Sequence, residues 1–259
     1  MNYLVIDLET VVDPTLPPPP KKKDGSEAFP AAPYHQIAVM AAVLLDAHYE
    51  LQGLCVVGEG LSERDTLVSF VKGLDTHRDT TIVTWNGRGF DLPVIIARCL
   101  RHGLAFPWYY AQRDVRYRYS ASGHLDVMDF LVDHGAARPY SLDIAAKLIG
   151  LPGKLDCKGS DVQEMIDAGQ LEEVRAYCMQ DVVQTAALFL RAQLLRGHLG
   201  AAAYTRAMRG LLAGAGNQPR LAPMLPLIDR ARLLPHVEPA PAAPRPAAQV
   251  PSRGEECGA

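Results

Sequence analysis

Two carboxylates stand inside an otherwise apolar run near the start of the chain: Asp7 and Glu9 in LVIDLETV, residues 4–11. Side chains alternate faces along a strand, so Asp7 and Glu9 project to the same side, with Leu8 opposite. Burying one unpaired carboxylate is costly, and two side by side also repel. Something positive must come between them. An Arg or Lys, a shared proton and a metal ion are the options these residues leave open.

Further acids could complete such a site. In WNGRGFDLPVI, residues 85–95, a β-branched strand ends at Trp85, glycines at 87 and 89 permit a sharp turn, and Asp91 opens a helix. Helix capping alone accounts for an Asp there. The end of a strand is also where α/β folds hold ligands. In RAYCMQDVVQTAALF, residues 175–189, Tyr177 and Asp181 are four apart and share one helix face. Val182, Val183, Ala186 and Ala187 follow Asp181, an apolar setting for a lone acid. A solvent-facing Asp on an amphipathic helix is the plainer alternative.

Taken in order, VIDLET, NGRGFD and YCMQD resemble the three motifs of the DEDD group of 3′–5′ exonucleases, which have a ribonuclease H-like fold. HLDVMDFL and GSDVQEMIDAGQLEEVRAYC add a likeness to predicted exonucleases related to the proofreading domain of family B DNA polymerases. The likeness spans about residues 1–196. Tyr177 four residues before Asp181, with Ala176 where the other branch carries His, matches the tyrosine branch. The resemblance implies two divalent cations, Mg²⁺ or Mn²⁺, held by Asp7, Glu9, Asp91 and Asp181. Oxygen ligands suit such hard ions. It further implies that Asp7 bridges the ions, Glu9 and Asp181 complete the water-activating site, and Asp91 serves the ion beside the leaving oxygen. Tyr177 would orient the water; a phenol with an ordinary pKa of about 10 is a positioning group at neutral pH.

Leu8, Thr10, Asn86 and Phe90 flank these motifs and are the expected contacts to the terminal nucleotide. Asn86 also suits a turn and Phe90 a core anchor. Lys158 is within reach of a phosphate, or simply solvated. Residues 101–119 interleave Arg101, Arg113, Arg116 and Arg118 with Trp108, Tyr109, Tyr110, Tyr117 and Tyr119. Stacking aromatics and phosphate-binding arginines are how a single strand is held. The same residues can anchor a loop and pair with nearby acids.

Positioning these groups requires a first strand over 2–8, a hairpin of strands over 35–45 and 50–58, and a strand over 80–85. Helices are expected at 62–74, with Ser62 and Asp65 at its start, and at 90–103, with Pro93 in its first turn. Residues 104–123 read as irregular. A short strand at HLDV follows, then helices near 127–134, 141–149, 160–168 and 171–196. The order specifies an α/β fold with a mixed sheet flanked by helices. An exonuclease domain would occupy 1–200, with a proline-rich exposed loop at 13–33. A helical extension over 201–234 and a disordered Pro/Ala-rich tail over 235–259 would follow.

Bulk composition narrows the function. Across 259 residues, 48% are hydrophobic, 21% are charged and the net charge is −3. That argues against broad electrostatic wrapping of nucleic acid and leaves room for local recognition of a strand end. Five cysteines (55, 99, 157, 178 and 257) without a CxxC spacing point away from a zinc or disulfide framework and toward a reducing cytoplasm. No signal peptide or membrane span is expected. The expected activity releases nucleoside monophosphates from the 3′ end of single-stranded DNA, in repair or in proofreading for a separate DNA polymerase. RNA 3′-end processing and a non-catalytic nucleic-acid-binding scaffold are the alternatives.

Overall fold

The computed structural model of the chain describes residues 1–26, 28–155 and 159–234. Its centre is a five-stranded mixed sheet in the order β3-β2-β1-β4-β5. The strands are β1 (Tyr3–Val12), β2 (His35–Leu45), β3 (Leu51–Val56), β4 (Thr81–Thr84) and β5 (His124–Asp126). β1 runs antiparallel to β2, and β2 to β3; β1 and β4 are parallel, as are β4 and β5. The helices are α1 (Glu63–Thr76), α2 (Asp91–His102), α3 (Pro107–Ala111), α4 (Arg113–Arg116) and α5 (Val127–Leu131). They continue with α6 (Leu142–Ile149), α7 (Val162–Asp167), α8 (Leu171–Leu195), α9 (Ala201–Gly216) and α10 (Arg230–Leu233). This is the mixed, helix-flanked sheet of a ribonuclease H-like α/β fold.

Strand alternation splits the core in two. Val5 packs on one face with Val182, Val183 and Phe189 of α8, while Ile6 and Leu8 pack on the other with Leu67, Leu92 and Ile95 of α1 and α2. Asp7 and Glu9 follow Val5 in register and therefore turn toward α8. α8 is about 37 Å long at 1.5 Å per residue. Most of its residues are buried, because the sheet covers one side and α6 and α9 cover others. α9 also joins this core, through Tyr204, Met208 and Leu211.

Several expectations need adjustment. β1 continues to Val12 because Thr10, Val11 and Val12 stay paired with β2 across a register shift after Glu9. Residues 104–123 contain the short helices α3 and α4. Pro107 starts α3, and the buried Trp108 and Val115 anchor the pair. The loop over 13–33 is largely exposed, but its first residue is not: Asp13 is 2% exposed and paired with Arg98 at 2.6 Å. Lys158 and the 235–259 tail lie outside the described residues. No helix among the described residues is long and apolar enough to cross a membrane.

Candidate active site

β1 and α8 bring three acids together. One carboxylate oxygen from each of Asp7, Glu9 and Asp181 lies within 4.8 Å of the others. Glu9 and Asp181 are buried and Asp7 is half-buried. Burial, reinforced by Asp181, Glu9 and Asp91, pushes the Asp7 carboxyl well above its ordinary value. Burial first, then Asp181, does the same to Glu9, with Lys154 opposing. Burial raises Asp181 to about 6, against the pull of Lys154. A low-dielectric pocket that holds three acids has stored repulsion that a cation would relieve.

Asp91 comes from the other side of β1. It is the first residue of α2, is 4% exposed, and receives the backbone N–H of Leu8. Burial raises its carboxyl to about 7. The turn that delivers it is tightly specified. Asn86 takes a left-handed backbone, φ 60°, which Asn tolerates better than most residues. A Cβ on Gly87 would sit 2.4 Å from the Thr84 side chain, so only glycine fits there. Asp126, at the end of β5, grips this turn: its carboxylate accepts the backbone N–H of Asn86 at 2.9 Å and of Arg88 at 3.0 Å.

Tyr177 sits one turn before Asp181 and hydrogen-bonds to it. Burial, and then Asp181, Glu9 and Asp7, push its phenol far above the ordinary range, so the hydroxyl keeps its proton. Lys154 Nζ donates to that hydroxyl at 2.5 Å. Lys154 is held by its own loop: its backbone N–H donates to Asp143 at 2.8 Å, and that of Gly153 to the buried Gln184 at 2.8 Å. Gln184 also donates to Asp181 at 3.3 Å. Gly153 has φ 73°, and a Cβ there would strike Asp143 at 2.3 Å.

A family model described as a predicted 3′–5′ exonuclease related to the exonuclease domain of PolB matches residues 27–220. The chain belongs to that family. The match contains Asn86, Phe90, Asp91, Tyr177 and Asp181, and it begins after β1; it is the sheet that sets Asp7 and Glu9 against the matched residues. No curated protein matches the chain. Among solved structures, exonuclease I is similar at 16% identity and a TM-score of 0.38, over 78% of this chain and 44% of that one. E. coli exonuclease I in complex with a dT13 oligonucleotide matches at 16% identity and a TM-score of 0.38, over 76% and 42%. The same enzyme with a dA16 oligonucleotide matches at 16% and 0.38, over 86% and 45%. The chain thus spans less than half the length of those proteins.

The remaining residues of this family member distribute unevenly. Leu8 is 4% exposed, with its side chain in the α1/α2 core, so only its backbone faces the site. Thr10 is half-buried and bonds His35 Nδ1 at 2.8 Å. Phe90 is partly buried and packs on the α2 core, edge-on to His35 at 5.0 Å. In the 101–119 segment, Arg118 is committed to Asp129 at 2.6 Å and Arg101 reaches Asp13 at 3.5 Å. Trp108 is buried, while Tyr110, Tyr117, Tyr119, Arg113 and Arg116 remain exposed. Arg88 ties the segment to the Asp91 turn by donating to the carbonyls of Val115, Tyr117 and His124, at 3.3, 3.3 and 2.9 Å.

Sequence reasoning missed Lys154, Gln184, Asp126 and Arg88. Gly153 before Lys154 was the available cue for a special backbone. Asp126 also caps α5 locally, but the partners through which it grips the Asp91 turn are 38 and 40 residues away, where no local pattern reports them.

Proposed function

We propose that the chain is a metal-dependent 3′–5′ exonuclease that hydrolyses the terminal phosphodiester bond of single-stranded DNA and releases nucleoside monophosphates. The observation that carries this is the Asp7–Glu9–Asp181 cluster, oxygens within 4.8 Å, with Asp91 and Tyr177 beside it. The residues fit hard divalent cations: every donor is an oxygen, all four carboxyls are destabilised as anions by burial, and Lys154 is the cation acting on Glu9 and Asp181. Asp7, Glu9, Asp91 and Asp181 would hold Mg²⁺ or Mn²⁺. When bound, such cations would make the attacking water more acidic and neutralise charge on the phosphate and leaving oxygen.

The chain's own residues do the rest. Tyr177, protonated and fixed between Lys154 and Asp181, orients the attacking water. Lys154 adds positive charge next to the scissile phosphate. The Leu8 backbone, Thr10, Asn86 and Phe90 bound the space for the terminal nucleotide. Tyr110, Tyr117, Tyr119, Arg113 and Arg116 form an exposed face for the upstream strand, joined to the Asp91 turn through Arg88. Residues 1–200 form the catalytic unit in this reading, with 201–234 as its helical extension, in repair or proofreading within the cytoplasm. A separate polymerase or repair factor is the expected partner.

A 5′-labelled single-stranded DNA oligonucleotide tests the proposal. With Mg²⁺ or Mn²⁺ the wild type should give a ladder shortening from the 3′ end, abolished by EDTA and by Tyr177→Phe with Asp181→Asn. A matched RNA that is shortened faster than the DNA would reassign the substrate. No shortening of either strand would leave a non-catalytic binding module.

A further inference from the structure

Beyond the acids, the structure contains a second built feature at the same end of β1. A cavity of about 520 Å³ opens where β1 meets the proline-rich loop, lined by Thr10, Pro18, Lys21, Phe29, His35 and Gln163 among others. Thr10 is the residue after Glu9, and a Cβ on Gly159, in the same lining, would come 3.9 Å from the Tyr177 hydroxyl. One wall residue of the cavity, Gly159, thus lies against the candidate catalytic tyrosine, and Phe29 is another residue of its lining. Its volume is within the range of small-ligand sites, roughly 300–1,000 Å³.

Phe29 is the unusual member. It is 77% exposed, the only phenylalanine exposed among the described residues, yet its ring has aromatic neighbours. Its ring lies 5.2 Å from His35 and 5.6 Å from Phe90, and those two meet edge to face at 5.0 Å. The loop around it is braced. Asp13 N–H donates to the Tyr34 carbonyl at 2.7 Å, closing the loop's base, and Asp13 is locked to Arg98. Pro30 follows Phe29 and restricts its backbone. The Pro30 carbonyl can only accept, so His35 Nε2 donates to it at 3.0 Å and the Thr10 hydroxyl donates to Nδ1 at 2.8 Å. One imidazole thus fixes the loop to the strand that carries Asp7 and Glu9. Burial lowers the His35 pKa, consistent with this neutral form.

The exposed Phe29 ring thus lines this cavity in contact with His35 and Phe90, on a loop tied to the strand that carries Asp7 and Glu9. We infer that Phe29, braced by His35 and Phe90, is a stacking platform for one of the two 3′-terminal bases of a single DNA strand. It is a specificity-determining residue: a base can reach it only when unpaired, so the loop favours single-stranded or frayed ends. Lys21, at the rim, gives the adjoining phosphate a cation. The inference rests on the exonuclease reading for its substrate but not for its geometry.

The test is a binding cycle in EDTA, where no cleavage occurs. Fluorescently 5′-labelled oligo-dT is titrated with wild type and Phe29→Ala, and the titration is repeated with an abasic residue at the 3′-terminal or the penultimate position. Removing a stacking ring should weaken binding about five- to tenfold. At one of the two abasic positions wild type should lose the same factor and the variant little more. Phe29→Trp, which restores a ring, should recover affinity and show emission quenched by the intact strand, measured as a difference from wild type. Equal affinities for wild type and Phe29→Ala, or a deficit that persists at both abasic positions, would overturn the inference. If wild type cleaves while Phe29→Ala binds normally, the platform fails and the exonuclease stands. If the quench and cycle appear but no strand is cleaved, the platform stands and the activity fails.

Discussion

Asp126 offers the sharpest test of how the fold builds the site, because it touches no proposed ligand and yet holds the turn that presents Asn86 and Asp91. Its Oδ1 accepts from the N–H of Asn86 at 2.9 Å and of Asp129 at 3.2 Å, and its Oδ2 from Arg88 N–H at 3.0 Å. Burial pushes this carboxyl up and the three backbone donors pull it down; with both oxygens accepting, the anion is the form that fits. Asp126→Asn keeps one oxygen and so at most the Oδ1 pair. The amide NH₂ then faces Arg88 N–H, donor to donor. Losing one charge-assisted bond costs about 1.5–3 kcal/mol, and weakening the other two adds up to about 1 kcal/mol. Relief from burying a charge offsets part of this, leaving a net loss of about 2–3 kcal/mol. In urea, with a slope of about 2–3 kcal/mol/M, the unfolding midpoint should fall by about 1 M at unchanged slope. Because the turn must rotate to separate the donors, kcat should fall at least about tenfold, as expected when catalytic groups move by a fraction of an ångström to an ångström. A midpoint within about 0.3 M of wild type together with an unchanged kcat would refute the reasoning.

Three shorter predictions follow from other parts of the molecule. Arg98→Met should destabilise by about 3–5 kcal/mol in thermal or urea unfolding, because Arg98 is 2% exposed and its loss leaves buried Asp13 and Glu63 without their shared cation. Asp129 is held down to about 2, first by its hydrogen bonds to Arg118 and also by His134. A carboxyl depressed below its unfolded value of about 3.9 contributes stability above that pH and loses it as pH falls toward 2. With Arg118 half-exposed, that contribution is about 1 kcal/mol. The stability gap between wild type and Asp129→Asn should therefore shrink between pH 5 and pH 2, a trend that a constant gap would contradict. Lys154→Ala should lower kcat about tenfold by freeing Tyr177, while Mg²⁺ affinity holds or rises because a competing cation is gone. A clear loss of Mg²⁺ affinity in calorimetry would count against that role.

What the sequence disclosed, and what it hid, follows from the range of each interaction. Strand alternation alone put Asp7 and Glu9 on one face, and helical spacing put Tyr177 one turn from Asp181; both are local rules, and the sheet and α8 obey them. The order of the elements likewise gave a mixed sheet with helices on both sides. Local rules could not say which face of α8 meets β1. The resemblance of three ordered motifs carried that information instead. Asp126 was read only as part of a short strand, since its grip on Asn86 and Arg88 depends on β5 lying next to β4. Arg118 was offered to a phosphate because its partner Asp129 comes close only after α4 and α5 fold around β5. Lys154 escaped notice because its role depends on Asp143 and Gln184 fixing an irregular loop, a geometry no periodicity encodes. The proline-rich loop was legible as exposed, but its bracing through Asp13, Arg98 and His35 spans the fold.

The central claim is that Asp7 belongs to a carboxylate cluster that gathers divalent cations to cut DNA. Mn²⁺ binding by electron paramagnetic resonance, on wild type and Asp7→Asn with and without a non-hydrolysable 3′-phosphorothioate strand, tests it most directly. The account predicts Mn²⁺ uptake by wild type, with a second ion retained when the strand is present, and loss of both in Asp7→Asn. It also predicts that Asp7→Asn melts higher than wild type in EDTA, since one of the repelling acids is gone. Equal Mn²⁺ uptake by the two proteins, with no gain in thermal stability for the variant, would contradict the account.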